Sequence, residues 1–104
     1  MDKKTWIIGI CCSEGDGIDI YKIICTKEQA KKYLLRRVHA DLLEEYDTID
    51  KAVKEYGSHY CTETIDDIVE ERDGNLLCAY ATFYDYHIDY TAIAEDDLFV
   101  AELV

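Results

Sequence analysis

Thr5-Trp6-Ile7-Ile8-Gly9-Ile10-Cys11-Cys12 and Ile18-Asp19-Ile20-Tyr21-Lys22-Ile23-Ile24-Cys25 decide how this chain folds. Both runs are apolar and rich in β-branched residues. Between them lies Ser13-Glu14-Gly15-Asp16-Gly17, which reads as the loop of a β-hairpin rather than a two-residue turn. Pairing Cys12 with Ile18 puts Trp6, Ile8 and Ile10 on the same face as Ile20 and Ile24. The other face still carries Ile7, Tyr21 and Ile23. A strand apolar on both faces is expected to be covered on both, or to lie centrally in its sheet.

Downstream, Thr26-Lys27-Glu28-Gln29 fits a capping box, with the Thr hydroxyl taking the Gln29 amide while the Gln side chain reaches back. Ala30, Leu34, Val38 and Leu42 recur every four residues and Leu35 widens the stripe, predicting a helix to about Glu45 that packs one face on the sheet. Asp47 or Thr48 would cap a shorter second helix through Ala52 and Val53, ended by Gly57. Thr64 to Ile68 could form one helical turn, Val69 to Glu71 looks extended, and Arg72-Asp73-Gly74-Asn75 reads as a turn. Leu76 to Ile93 is too long for one ordinary strand, so it is read as two strands breaking near Tyr84–His87 or one strand bent at a bulge. Glu95-Asp96-Asp97 marks another turn and Leu98 to Leu103 a last strand. The expected architecture is α+β: one domain over residues 1–104, a mostly antiparallel sheet with one long and one or two short helices packed on one side.

A chain of 104 residues, 49% hydrophobic and 12% aromatic, has enough apolar surface for one core. Its 11 Lys+Arg stand against 23 Asp+Glu, for a net charge of -12. That balance opposes direct binding to nucleic acid or to an anionic membrane. No run approaches a membrane span and the N-terminus lacks a signal-peptide h-region, so we expect a cytoplasmic chain. Five cysteines, an odd number, fit a reducing compartment.

The charge is unevenly distributed. Residues 1–61 carry eleven acids and ten bases, whereas residues 62–104 carry twelve acids and Arg72 as their one base. The acids cluster as Glu63/Asp66/Asp67, Glu70/Glu71/Asp73 and Glu95/Asp96/Asp97, interleaved with Tyr80, Tyr84, Tyr86 and Tyr90. Tyr84 and Tyr86, with these carboxylates, form the candidate partner-binding set. Crowded carboxylates repel one another, a cost that a Lys/Arg-rich partner would relieve, and tyrosines give rigid contact area with a polar end. Such a surface can also simply keep a small protein soluble. Lys27, Lys31, Lys32, Arg36 and Arg37 form a basic patch on the helix, which could pair with the acids inside the monomer or across a dimer.

Signals for catalysis are weak. The cysteines contain no C-x-x-C pair, and adjacent Cys11 and Cys12 point to opposite faces of a strand. Hairpin geometry places Cys12 and Cys25 too far apart for a disulfide. His59 and Cys61, at alternate positions of one segment, are the best local metal pair, and zinc on them is the alternative to a binding function without a cofactor. Asp85, His87 and Asp89 share a face if the strand is regular, adequate for acid–base chemistry or for a metal, so they are a second ligand set for the metal-binding alternative. The plainer expectation is that His87 hydrogen-bonds a neighbouring carboxylate at a turn. Ser13 and Ser58 lie in no nucleophile elbow, and Gly15 and Gly17 form no phosphate loop.

Tyr86-His87-Ile88-Asp89-Tyr90-Thr91-Ala92-Ile93, with Glu70-Glu71-Arg72-Asp73-Gly74 before it, resembles small acidic proteins of gut Firmicutes and their mobile elements. The resemblance covers about the last 40 residues of the chain. In size, acidity and lack of a catalytic motif the chain is also similar to phage-encoded anti-CRISPR inhibitors. That likeness implies a non-enzymatic inhibitor whose partner is a basic protein surface, a CRISPR effector nuclease, with no site residues carried across.

Overall fold

The computed structural model describes residues 2–15, 17–45, 48, 51, 68–83, 86–98 and 102. Strands β1 (Lys4–Cys12) and β2 (Ile18–Cys25) form the expected hairpin, followed by helix α1 (Lys27–Glu45). Strands β3 (Glu70–Arg72), β4 (Leu76–Thr82) and β5 (His87–Ala94) complete an antiparallel sheet in the order β2-β1-β5-β4-β3. The fold is α+β. Residues 76–94 resolve into two strands rather than one bent strand, with Phe83 N–H donating to the Tyr86 carbonyl across the turn at 2.8 Å. Glu95–Asp97 is a single 3-10 turn, and Leu98, after it, is not in a strand. Glu102, within the expected last strand, is not in a strand either, and the other residues of that expectation lie outside the described residues. So do Thr64–Asp67 and most of the short helix expected after Thr48, whose hydroxyl does accept the Lys51 amide at 3.2 Å.

The capping box forms as read. Gln29 N–H donates to Thr26 Oγ1 at 3.2 Å, and Thr26 N–H donates to Gln29 Oε1 at 3.0 Å. Two amides left without intrahelical partners are thereby satisfied, which fixes where α1 starts. Ala30, Leu34, Val38 and Leu42 are fully buried against the sheet. There they meet Ala79, Ala81, Ala92 and Ala94 of β4 and β5, short side chains that let the helix backbone come close. Trp6, Ile8 and Ile10 fill the same inner face from β1, and buried Tyr90 donates its hydroxyl to Asp41 of α1 at 2.6 Å.

The hairpin register corrects the sequence reading by one residue. Cys11, not Cys12, lies opposite Ile18, and Trp6 lies opposite Ile23. A slip of one residue turns a whole strand over. Tyr21, Ile23 and Cys25 therefore join Trp6, Ile8 and Ile10 on the inner face, while Ile18, Ile20 and Ile24 point to the other. The second correction concerns position: β2 is an edge strand, not a central one. Its apolar outer residues are left 59%, 67% and 72% exposed at Ile18, Ile20 and Ile24. Cys25 lies opposite Lys4, so eight strand positions, about 26 Å, separate it from the level of Cys12. Cys11, Cys12, Cys25 and Cys78 carry free thiols.

Among the described residues no helix is long and apolar enough to cross a membrane.

Candidate functional site

Two acidic stretches that are distant in sequence meet at one end of the sheet. The turn after β3 runs Asp73-Gly74-Asn75, with Asp73 and Gly74 both in left-handed backbone (φ 43° and 80°). Glycine and aspartate are among the few residues that accept this conformation cheaply. Antiparallel pairing of Leu76 with Ile93 brings this turn beside the end of β5, where Ala94 N–H donates to the Asn75 carbonyl at 3.1 Å. The next three residues are Glu95, Asp96 and Asp97, all exposed. Asp73, Asp96 and Asp97 make no ion pair among the described residues.

Other members of the expected acidic set are neutralised within the chain. Glu71 reaches α1 and pairs with both Lys27 and Lys31, the latter at 3.1 Å. Hydrogen bonds from Lys27 first and Lys31 second hold the Glu71 carboxyl below its ordinary value. Lys31 is itself buried, its stem covered while its ammonium meets Glu71. Glu95 pairs with Lys22 of β2 at 3.3 Å, and Glu70 with Arg72 at 3.1 Å, a bond that raises the Arg72 pKa. Part of the helix's basic patch is thus paired inside the monomer.

The described tyrosines of this set, Tyr80, Tyr86 and Tyr90, do not join the acidic end. Tyr86 sits at the β4–β5 turn, stacked on Phe83 with ring centroids 4.5 Å apart, and donates its hydroxyl to Glu45 at 3.3 Å. Consecutive hairpin turns lie at opposite ends of a sheet, so the seven residues of β4, about 23 Å, separate Tyr86 from Asp73. Tyr80 lies mid-sheet on the outer face and Tyr90 is buried in the core. Glu63, Asp66, Asp67, Tyr84, Asp85, His59 and Cys61 lie outside the described residues.

His87 and Asp89 share the outer face of β5, with His87 Nε2 3.3 Å from Asp89 Oδ2. A carboxylate thus stands beside His87, as the sequence suggests, but on a strand rather than at a turn. Among the described residues no group of three His, Cys, Asp or Glu is placed to hold a metal ion. Burial pushes the Cys25 and Cys78 thiols up, away from the thiolate that a nucleophile needs. On the covered side, the Tyr21 and Tyr33 hydroxyls hydrogen-bond each other and their rings meet edge-to-face. Burial first, and the Tyr33 bond second, raise the Tyr21 phenol to about 12. His39 of α1 has its Nε2 buried with no hydrogen-bond partner among the described residues, and burial lowers its pKa.

The feature that the sequence reading missed is the outer sheet face. One cross-strand row runs Lys22, Ile7, Ile93, Leu76, Arg72, and another Ile18, Cys11, Asp89, Tyr80. The available signal was β2 itself, apolar at both odd and even positions, although the covering expected for it is absent from the described residues.

Compared with protein-family models, curated proteins and solved structures, the chain matches none.

Proposed function

We propose that the chain is a non-enzymatic acidic binding protein. It inhibits a nucleic-acid-handling protein by occupying its basic surface, as an anti-CRISPR inhibitor would occupy an RNA-guided nuclease. The observation that carries this is the junction of Asp73 with Asp96 and Asp97 through the Ala94–Asn75 hydrogen bond. It gathers carboxylates that form no ion pair among the described residues at one exposed end of the sheet. Spaced on backbone turns, they can take the place of phosphates against Lys and Arg of a groove. Charge steering would speed the encounter, and salt would weaken it, since exposed charges are screened beyond about 8 Å at physiological ionic strength.

The test uses a panel of CRISPR effector nucleases with guide and target DNA. Adding the chain should suppress target cleavage by at least one effector. The triple variant Asp73→Lys, Asp96→Lys, Asp97→Lys should lose that inhibition, while Lys32→Glu with Arg36→Glu on α1 should keep it. Inhibition by the acidic-end variant at wild-type strength, or its loss in the helix variant alone, would move the functional face to α1. Failure of the wild type across the panel, combined with no salt-sensitive binding to any of the effectors, would overturn the proposal.

A further inference from the structure

We infer that the outer sheet face is a self-association surface, on which a second copy of this chain packs its own outer face about a two-fold axis. Three observations converge on this. The first is exposure. Ile18, Ile20 and Ile24 of β2 stand 59%, 67% and 72% exposed, whereas Trp6 and Ile8 on the opposite side are at 0%. Half-buried Ile7 and Ile93 lie beside them on the same face, so apolar side chains run from the β2 edge across β1 to β5.

The second is charge. The chain carries a net charge of -12, so two copies repel through most of their surfaces. On the outer face the charged strand residues are Lys22 and Arg72 against Glu70 and Asp89, and Glu95 of the following turn reaches Lys22, so the face stays close to balance. Lys22 and Arg72 stand at the two ends of one apolar row, and Asp89 lies within the next. Lys22 and Arg72 are already answered within one chain by Glu95 and Glu70, so two copies can appose these faces with little net repulsion across them. A strongly basic or acidic partner finds nothing on this face to select it. A copy of the face matches its neutrality and its isoleucines.

The third is area. Four long strands at the usual spacing cover roughly 20 by 25 Å, so apposing two faces removes about 1,000 Å² in all before side-chain relief is counted. That reaches the lower bound of about 1,000 Å² for a specific interface and predicts a reversible dimer rather than an obligate one. Face-to-face packing of twisted sheets at about 10 Å separation buries the β2 isoleucines and the β4 and β5 outer residues together. Pairing through the β2 edge alone would extend the sheet and leave the patch open.

Analytical ultracentrifugation of the full chain across a concentration series, at low and high salt, tests this. The wild type should shift from one to two chain masses with rising concentration, and high salt should not dissociate it. Ile20→Lys on β2 and Tyr80→Lys on β4 are both at exposed positions, and each should raise the dimer dissociation constant at least about tenfold. Circular dichroism should show the same melting transition in both variants at concentrations where all are monomers. A wild type that stays monomeric to millimolar concentration would overturn the proposal. So would a dimer indifferent to both substitutions, or one lost in Ile20→Lys but kept in Tyr80→Lys, which would mean edge pairing. Loss of nuclease inhibition in the acidic-end variant leaves this result untouched, so the two proposals fail separately.

Discussion

The two faces of this sheet are built from similar residues and are treated differently. The inner face carries Trp6, Ile8, Leu77 and Tyr90 and is closed by α1. The outer face carries Ile7, Ile18, Ile20, Ile24 and Ile93 and has no described layer over it. Isoleucine content alone therefore does not say which side of a strand is core. What separates the faces is the helix: its four-residue apolar stripe fits the alanines of β4 and β5, and those alanines lie on one side only. The outer face lacks such small residues in its apolar row and remains a platform.

Substitutions matched across the sheet should break or sharpen that contrast. The largest effect belongs to Trp6→Ala on the closed face, with a loss of about 3–5 kcal/mol in urea unfolding. A loss below about 1 kcal/mol would mean the inner face is not the core. Tyr90→Phe keeps the ring but removes the 2.6 Å hydroxyl bond to Asp41. It should cost about 1–3 kcal/mol in the same assay, because a carboxylate oxygen beneath the helix loses its donor. Thr26→Ala removes the cap that starts the covering helix and should cost about 1 kcal/mol, with Thr26→Ser restoring most of it.

Acid should weaken the tie between β3 and the helix. The Glu71 carboxyl is held below its ordinary value by Lys27 and Lys31. Its stabilisation is therefore present above the unfolded carboxylate range, near about pH 4.3, and lost as pH falls through the lower folded value. Glu71→Gln should flatten the acid limb of stability against pH, measured as urea midpoints from about pH 6 down to about pH 2. An unchanged limb would mean the pairs contribute nothing in solution. The smallest effect is expected for Ile20→Thr on the open face, within about 0.5 kcal/mol of wild type at monomer concentrations. A multi-kilocalorie loss there would reveal a cover over the outer face.

How much of this was legible in the chain depended on whether local chemistry determined it. Helix α1 could be read because Thr26 and Gln29 satisfy each other and the stripe from Ala30 to Leu42 has one period. The hairpin could be read, but not its register. A five-residue loop with Gly15 and Gly17 accommodates a one-residue slip, and strands apolar on both faces do not penalise it. The break between β4 and β5 was open to two readings until pairing of Thr82 with His87 fixed it. For the candidate surface, sequence showed the acidic clusters but not that Asp73 and Asp96 share an end, which follows from strand order. Nor could it show that Glu71 is answered by Lys27 and Lys31, or that Tyr86 lies at the far end against Phe83. The carboxylate beside His87 was expected from the i, i+2 spacing and is Asp89.

Trp6 is the chain's single tryptophan, fully buried, with its indole Nε1–H donating at 3.2 Å to the Cys25 carbonyl at the far end of the hairpin. That makes it an intrinsic optical gauge. Its emission should be short-wavelength in the native state and shift to the red when β1 and β2 part, with no label attached. Because the ring faces the helix, docking of anything on the opposite side of the sheet should leave its colour unchanged. Fluorescence therefore tracks opening of the core while hydrodynamics tracks association, and the two can be followed in one sample without crosstalk.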